Sequence, residues 1–263
     1  MRATIITVSY NAASTIADTL RSVAAQDHPD IEHIVVDGNS RDATLKVIAD
    51  HRHSDLTVIS EPDKGLYDAM NKGIAMASGD VVGFLNADDY FTSRTAISQL
   101  VAGIGSADAV CGNAVLVDPH DTGRVTRFYD ASGYRSWMLR FGHMPPHPAF
   151  YARREAVKRV GNFDTSYRIG ADLEWMIRFF HVNKLRCSFV GKTVTAVREG
   201  GLSNRGLPSR VLINKEALAR CRRWGIATAS PLLWSRYLAT SSQYVRRPAD
   251  YPATILDRFE PAC

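Results

Sequence analysis

Four strand-like runs alternating with helical periodicity occupy the first third of the chain, and that alternation leaves few folds open. Ala3 to Ser9 is rich in β-branched residues, and Ile16, Leu20 and Val23 follow at i, i+4 and i+7 behind a candidate N-cap at Ser14. Ile31 to Val36 is a second run ending at Asp37-Gly38, after which Asp42 is placed to cap a helix through about Ala49. Leu56 to Ile59 is the third strand, and Gly65 precedes a helix from Leu66 to about Ala77 with Leu66, Met70 and Ile74 on one face. Asp80 to Leu85 is the fourth, apolar enough to be covered on both sides. Such a βαβα series predicts a mostly parallel sheet with helices on both faces, whose ligands bind beyond the carboxyl ends of the strands.

The rest of the chain changes character. Ala107 to Val117, Val125 to Tyr129, Ala149 to Tyr151, Arg186 to Val190 and Val194 to Val197 read as strands. Helices are expected through about Val160, from Asp172 to about His181, and over 208–223 and 230–246. His143 to Pro148 is an irregular loop, and Gly200-Gly201-Leu202-Ser203-Asn204 a flexible junction. At 263 residues, one α/β unit with an appendage fits better than two equal domains. No apolar stretch nears the length of a membrane span, and the N-terminus runs straight into a strand, so no signal peptide is expected. Cys111, Cys187, Cys221 and Cys263 are scattered without metal-ligand spacing and are expected as reduced thiols of a cytoplasmic protein.

The formal net charge of +5 is unevenly placed. Residues 201–247 carry nine Arg or Lys against the single acid Glu216, so this segment holds +8 and the remainder −3. A basic segment on a near-neutral body points to an anionic partner. Trp224, Trp234, Tyr237 and Tyr244, interleaved with these charges, suit a membrane interface at least as well as nucleic acid. A solvated helical face with Arg stems covering apolar surface is the equal alternative.

The chemistry concentrates where the fourth strand ends, in Asn86-Ala87-Asp88-Asp89. Adjacent carboxylates repel and each resists burial. A divalent cation removes the conflict, and oxygen ligands suit Mg²⁺ or Mn²⁺. Taken alone, the pair also fits a solvated turn that caps the next helix.

With its surroundings it makes four motifs: Thr7-Val8-Ser9-Tyr10-Asn11, then Val35-Val36-Asp37-Gly38-Asn39-Ser40-Arg41-Asp42-Ala43-Thr44, then Asp63-Lys64-Gly65-Leu66-Tyr67-Asp68-Ala69-Met70-Asn71-Lys72-Gly73 leading into the paired acids. The last motif is Ile169-Gly170-Ala171-Asp172-Leu173-Glu174-Trp175, preceded by His147 and followed by Gly200-Gly201-Leu202-Ser203. In this order, over about residues 3–204, the chain resembles the family 2 glycosyltransferases of bacterial exopolysaccharide, O-antigen and glycolipid type. That resemblance implies the GT-A (Rossmann-like) fold over 1–204, with a nucleotide-sugar half over about 1–106 and an acceptor-side half over 107–204. A basic helical extension over 205–263 follows.

The resemblance also implies roles. Thr7 and Tyr10 would lie at the nucleobase, and Asp37 would meet base or ribose, unless it only shapes an Asx-turn. Asp63 would approach the donor, and Lys72 would neutralise phosphate or sit as an exposed helix lysine. Asn86 replaces the family's frequent first acid and would orient ribose or metal-bound water. Asp88 is favoured for the metal, with Asp89 supporting it or touching ribose, and which one binds directly stays open. Asp172 would be the general base at a helix start favoured by the dipole, although a first-turn acid fits the same position. Glu174, two residues on, faces away. His147 would sit near acceptor or metal, or be a loop histidine bonded to backbone, and Gly200-Gly201 would hinge a loop or merely link.

The expected activity is inverting transfer of a sugar from a nucleotide sugar, most often a UDP-sugar, with Mn²⁺ or Mg²⁺ as cofactor. The acceptor would be a hydroxyl of a glycan or a polyprenyl- or other lipid-linked molecule, and the basic 205–247 segment would contact anionic membrane at the inner face. No nucleic-acid partner is expected. The rivals are a nucleotidyltransferase, which should carry a Gly-rich basic loop where Tyr10-Asn11-Ala12-Ala13-Ser14 has none, and a non-catalytic nucleotide-sugar-binding protein.

Overall fold

A computed structural model describes residues 1–167, 169–200, 207–248 and 250–251. The predicted series is present: β1 (Ala3–Ser9), α1 (Ile16–Ala24), β2 (Ile31–Asp37), α2 (Thr44–Asp50), β3 (Leu56–Ser60), α3 (Leu66–Met76) and β4 (Val81–Phe84). These strands lie in the order β3-β2-β1-β4, all parallel. All seven residues of β1 and all four of β4 are buried, as strands covered on both faces must be. Parity along β1 divides the core: Ile5 faces the cluster containing α4 (Ala96–Gly103), while Ile6 and Val8 face α3 through Tyr67 and Met70. Ile16 and Leu20 of α1 cover Val35 and Ile48 in a further cluster.

The second half extends the sheet with β5 (Tyr90–Phe91), β6 (Ala109–Val117), β7 (Val125–Tyr129), β8 (Phe150–Arg153) and β9 (Cys187–Arg198). β8 joins β4 antiparallel and pairs with β6, which pairs parallel with β9. The two short strands expected at 186–190 and 194–197 are one strand, β9. Its register against β6 shifts near Asn113, and the break read from sequence is this bulge around Gly191, φ +67°. β5 and α4 carried no distinct sequence signal, because their apolar residues are too few or too evenly spread to show a period.

Caps differ from expectation. The residue before α1 is Thr15, and the amides of Thr15 and Ile16 bond to the Ala12 carbonyl, so Ser14 caps nothing. Asp42 stands two residues before α2, where its Oδ1 accepts the Thr44 amide (3.0 Å). Beyond α5 (Arg154–Val160), α6 (Ala171–Ile177) passes into a π turn over Arg178–Val182.

The C-terminal region contributes α7 (Leu207–Arg223) and α8 (Ser230–Ala239), the second ending earlier than its periodicity suggested, in a 3₁₀ turn over Ser241–Tyr244. Ala217, Cys221, Ile226 and Leu233 belong to the same buried cluster as Phe150 and Trp175. Glu174, 1 % exposed, binds Arg178 on its own helix (2.9 Å) and accepts the Trp224 indole N–H beyond α7 (2.8 Å). Cys111, Cys187 and Cys221 are free thiols, while Cys263 and residues 201–204 of the expected junction lie outside the described residues. Among the described residues no helix is long and apolar enough to cross a membrane.

Candidate active site

In-register parallel pairing places Ser9, Asp37 and Ser60 side by side at the carboxyl ends of β1, β2 and β3. Parallel neighbours in register share a face, so both serines reach the carboxylate between them. Asp37 Oδ1 accepts Ser9 Oγ (3.0 Å) and Ser40 Oγ (2.5 Å), and Oδ2 accepts the Ser40 amide (2.9 Å) and Ser60 Oγ (2.8 Å). The side chain is fully buried. Four donors thus meet the carboxylate. Asp37 therefore fastens three strand ends from below.

Above it opens a cleft of about 850 Å³ lined by Tyr10, Gly38, Arg41, Asp63, Lys64 and Tyr67, with Thr165, Ser166 and Tyr167 on the far wall. A Cβ on Gly38 would stand 2.4 Å from Asp63 Oδ2, so glycine is what lets Asp63 lie over the β2 turn. Asp63 Oδ1 accepts the Gly65 amide (2.7 Å) at the entry to α3, and Tyr10 is 61 % exposed.

Two expected ligands are elsewhere. Thr7 is buried inside the sheet with its hydroxyl on His33 Nε2 (3.0 Å), two residues short of the strand end that meets the cleft. Lys72 points away, bound to Glu61 (2.8 Å) and the Pro62 carbonyl (2.9 Å). The cations lining the cleft are Lys64 and Arg41, which sequence reading passed over. Asn71 exchanges two hydrogen bonds with the backbone of Phe163 (2.8 and 2.9 Å), joining α3 to the acceptor-side half.

The turn after β4 is pinned from outside. Thr19 Oγ1 donates to the Asp89 carbonyl (2.7 Å), Arg198 Nη1 donates to the Asp88 carbonyl (2.8 Å), and Arg198 also pairs with Asp18. Asn86 Oδ1 and Asp89 Oδ1 are buried without a hydrogen-bond partner. Burial raises the pKa of Asp88, and burial followed by the Asp88 charge raises that of Asp89 well above the carboxylate range, with Arg198 opposing in both cases. Orphaned oxygens beside a strained acid pair are the donor set a hard cation satisfies. Among the described residues no cluster of three or more His, Cys, Asp or Glu stands ready as a closed cage.

Asp172 lies in the first turn of α6, with Oδ1 accepting the Leu173 amide (2.8 Å). His147 comes near it: the ring stacks on Phe84 (5.0 Å) and meets Phe163 edge-on (5.8 Å), and its pKa is lowered by burial while the Asp172 charge opposes. Tyr67 links cleft and acid, its hydroxyl accepting the Gly170 amide (2.9 Å) and held protonated by burial and then by Asp172. The structure thus gathers Asp172, His147 and Tyr67 beside the end of β4. Besides Arg41 and Lys64, sequence reading missed Arg198 and Tyr67. Arg198 shows no motif, and Tyr67 was visible only as a helix residue.

The family model for glycosyl transferase family 2 matches residues 4–161. The chain belongs to glycosyl transferase family 2. A PGL/p-HBAD biosynthesis glycosyltransferase of Mycobacterium bovis is 31 % identical over 223 residues, 82 % of each chain. An uncharacterised glycosyltransferase of Mycobacterium tuberculosis is 33 % identical over 181 residues, 66 % of this chain and 67 % of its own. The fold is that of Staphylococcus aureus TarS 1–349 in complex with UDP-GlcNAc (TM-score 0.63, 20 % identity, 82 % of this chain and 66 % of that one). It is equally that of a mannosyltransferase from Pyrobaculum calidifontis in complex with GDP-Man and Mn²⁺ (TM-score 0.63, 21 % identity, 91 % and 70 %). The chain is thus a glycosyltransferase of GT-A fold, and the nucleotidyltransferase and non-catalytic alternatives fall.

Two outcomes follow from this geometry. Asp37→Ala should lower unfolding stability by about 3 kcal/mol, read by urea denaturation, since buried donors lose a charged acceptor. Nucleotide affinity of the folded protein should persist, and its loss at unchanged stability would restore a ligand role to Asp37. For the acid pair, Asp89 stays protonated in the folded chain above its unfolded value. Its contribution to stability is complete below that unfolded value and lost as pH rises through the folded one. A cation on this pair would have the opposite dependence, because its ligand must be ionised, so any Mn²⁺ affinity read by calorimetry should rise with pH as the pair ionises.

Proposed function

We propose that the protein is an inverting, cation-assisted transferase that moves a sugar from a nucleoside diphosphate sugar, taken as a UDP-sugar, to an acceptor hydroxyl. The observation that carries this reading is the pair of buried, unpartnered oxygens on Asn86 and Asp89 after β4, taken with a separate carboxylate, Asp172, whose charge reaches Tyr67, a wall residue of a cleft of nucleotide-sugar size. The nucleoside lies between Tyr10, Asp63 and the Gly38 turn, and Lys64 and Arg41 face the diphosphate. Asp88 holds the cation with Asp89 behind it, and Asn86 serves ribose or a bound water. When bound, the cation stabilises negative charge on the departing diphosphate.

Asp172 Oδ2, free of the Leu173 amide, takes the proton of the acceptor hydroxyl as its oxygen bonds to the anomeric carbon from the face opposite the leaving group. The anomeric carbon–phosphate oxygen bond breaks in the same displacement, which inverts the centre. His147 lines the acceptor side, kept neutral by burial, so it adds no charge that would pair with Asp172. The relative named for PGL/p-HBAD biosynthesis supports a glycolipid or other lipid-linked glycan as acceptor.

A site at the inner face of the cell membrane accords with that acceptor and with the C-terminal region. Val211, Leu212, Leu238 and Val245 are exposed there, Leu238 at 80 % and Val245 at 82 %, alongside exposed Lys215, Arg222, Arg246 and Arg247. Apolar side chains among cations are the composition of an interfacial anchor for anionic lipid. Only part of the basic excess is available for it, because Arg220, Arg223 and Arg246 are paired with Glu216, Asp164 and Asp130.

Asp172→Asn should abolish transfer, by a factor of about 10² or more, while nucleotide binding by thermal shift with Mn²⁺ is kept. Turnover surviving in that variant would remove Asp172 from the role of base. For the membrane, co-sedimentation with phosphatidylglycerol vesicles should fall in Leu238→Asp/Val245→Asp, and an unchanged bound fraction would refute this surface.

A further inference from the structure

The loop that delivers Asp172 is held by α7. Gly170, the residue before α6, has φ +79°, and no side chain caps the helix. Its amide goes to Tyr67 Oη (2.9 Å), and the carbonyl one residue earlier, on Ile169, accepts Arg220 Nη2 (2.5 Å). Arg220 stands fifty residues further on in α7 and is 1 % exposed. Its guanidinium lies over the Tyr167 ring (4.4 Å to the centroid) and pairs with Glu216 one turn back (2.6 Å). A Cβ on Gly170 would come within 2.6 Å of Arg220 Nη1, so the guanidinium fills the space a side chain would need. Arg223 extends the contact to Asp164 (3.1 Å) and Tyr167 Oη (3.2 Å).

Burying this arginine is costly. It has one carboxylate partner, and its Nε has no hydrogen-bond partner at all. Docking of α7 does not call for it, since Ala217, Cys221 and Ile226 pack into the core and Trp224 bonds Glu174. An apolar residue of similar volume would seat the helix at least as well. What an apolar residue lacks is a planar, charged fork that binds a carbonyl while stacking on a ring. Tyr167 is also a wall of the donor cleft.

We propose that Arg220 is a positioning residue for Asp172. Through Ile169 and Gly170 it fixes the start of α6, and through Tyr167 it ties the base to the wall of the donor cleft. The helices after residue 206 are then a working part of the transferase and not an appendage to it. This inference rests on Asp172 being the base.

The test compares Arg220→Lys, which keeps the charge and loses the fork, with Cys221→Ala, which thins the packing of the same helix without touching Ile169 or Gly170. Arg220→Lys should lower kcat about tenfold or more with donor KM nearly unchanged, as expected when a reacting group is misplaced and binding is intact. Hydrogen exchange of the Ile169 to Asp172 amides should speed up in Arg220→Lys and stay slow in Cys221→Ala, which should also keep kcat. Wild-type kcat in Arg220→Lys, unchanged exchange, or a kcat loss matched by Cys221→Ala at equal melting temperature would each overturn the proposal. If Asp172→Asn retains turnover, the assignment of the base fails. If Asp172→Asn is inactive and Arg220→Lys is normal, the positioning role alone fails.

Discussion

One buried carboxylate sets the shape on which the site depends. Asp37 is tolerated in the interior because four donors surround it, and those donors come from β1, the β2 turn and β3. Ser9 and Ser60 reach it only when the three strands end in register. The interaction therefore selects one register over any slipped one, since a shift of one residue would leave a charge in the core without partners. The level strand ends it enforces are the floor of the cleft, and Gly38, Tyr10 and Asp63 rest on them.

At the end of β4 burial works the other way. Asn86 Oδ1 and Asp89 Oδ1 also lie in the interior, but neither finds a hydrogen-bond partner among the described residues. Two acids, one ending β2 and one following β4 on the other side of β1, thus look alike in sequence and behave oppositely in the fold. A saturated carboxylate is a fastener. A carboxylate left short of donors beside a second acid is a seat for something not made of protein.

Much of this was legible in the sequence, for identifiable reasons. Period-2 and period-3.6 patterns located β1 to β4 and their helices, and the order of four motifs gave the family. The paired acids and Asp172 stood out because their chemistry conflicts with simple packing. What was hidden is pairing at a distance. Nothing local tells that Asp37 is met by Ser60, that Thr7 turns to His33, or that Lys72 folds back on Glu61 while Lys64 lines the cleft. Arg198 and Arg220 were invisible in the same way, one lying just past a strand read as ending at Val197 and the other part of a basic run. Bulges also deceive: the kink in β9 imitated a loop between two strands.

The role of β9 carries a consequence for how such an enzyme can be altered. α6 holds Asp172 and gives way, after its π turn, to β9, whose last residue, Arg198, grips the Asp88 carbonyl. The helix that carries Asp172 and the strand whose last residue anchors the acid-pair turn are therefore successive parts of the chain, separated by the π turn and a short loop. Changes in acceptor size must then be met by side chains around the site or by the loops beside it. A change in the strand itself would disturb the anchor of the Asp88 turn together with the sheet that holds it.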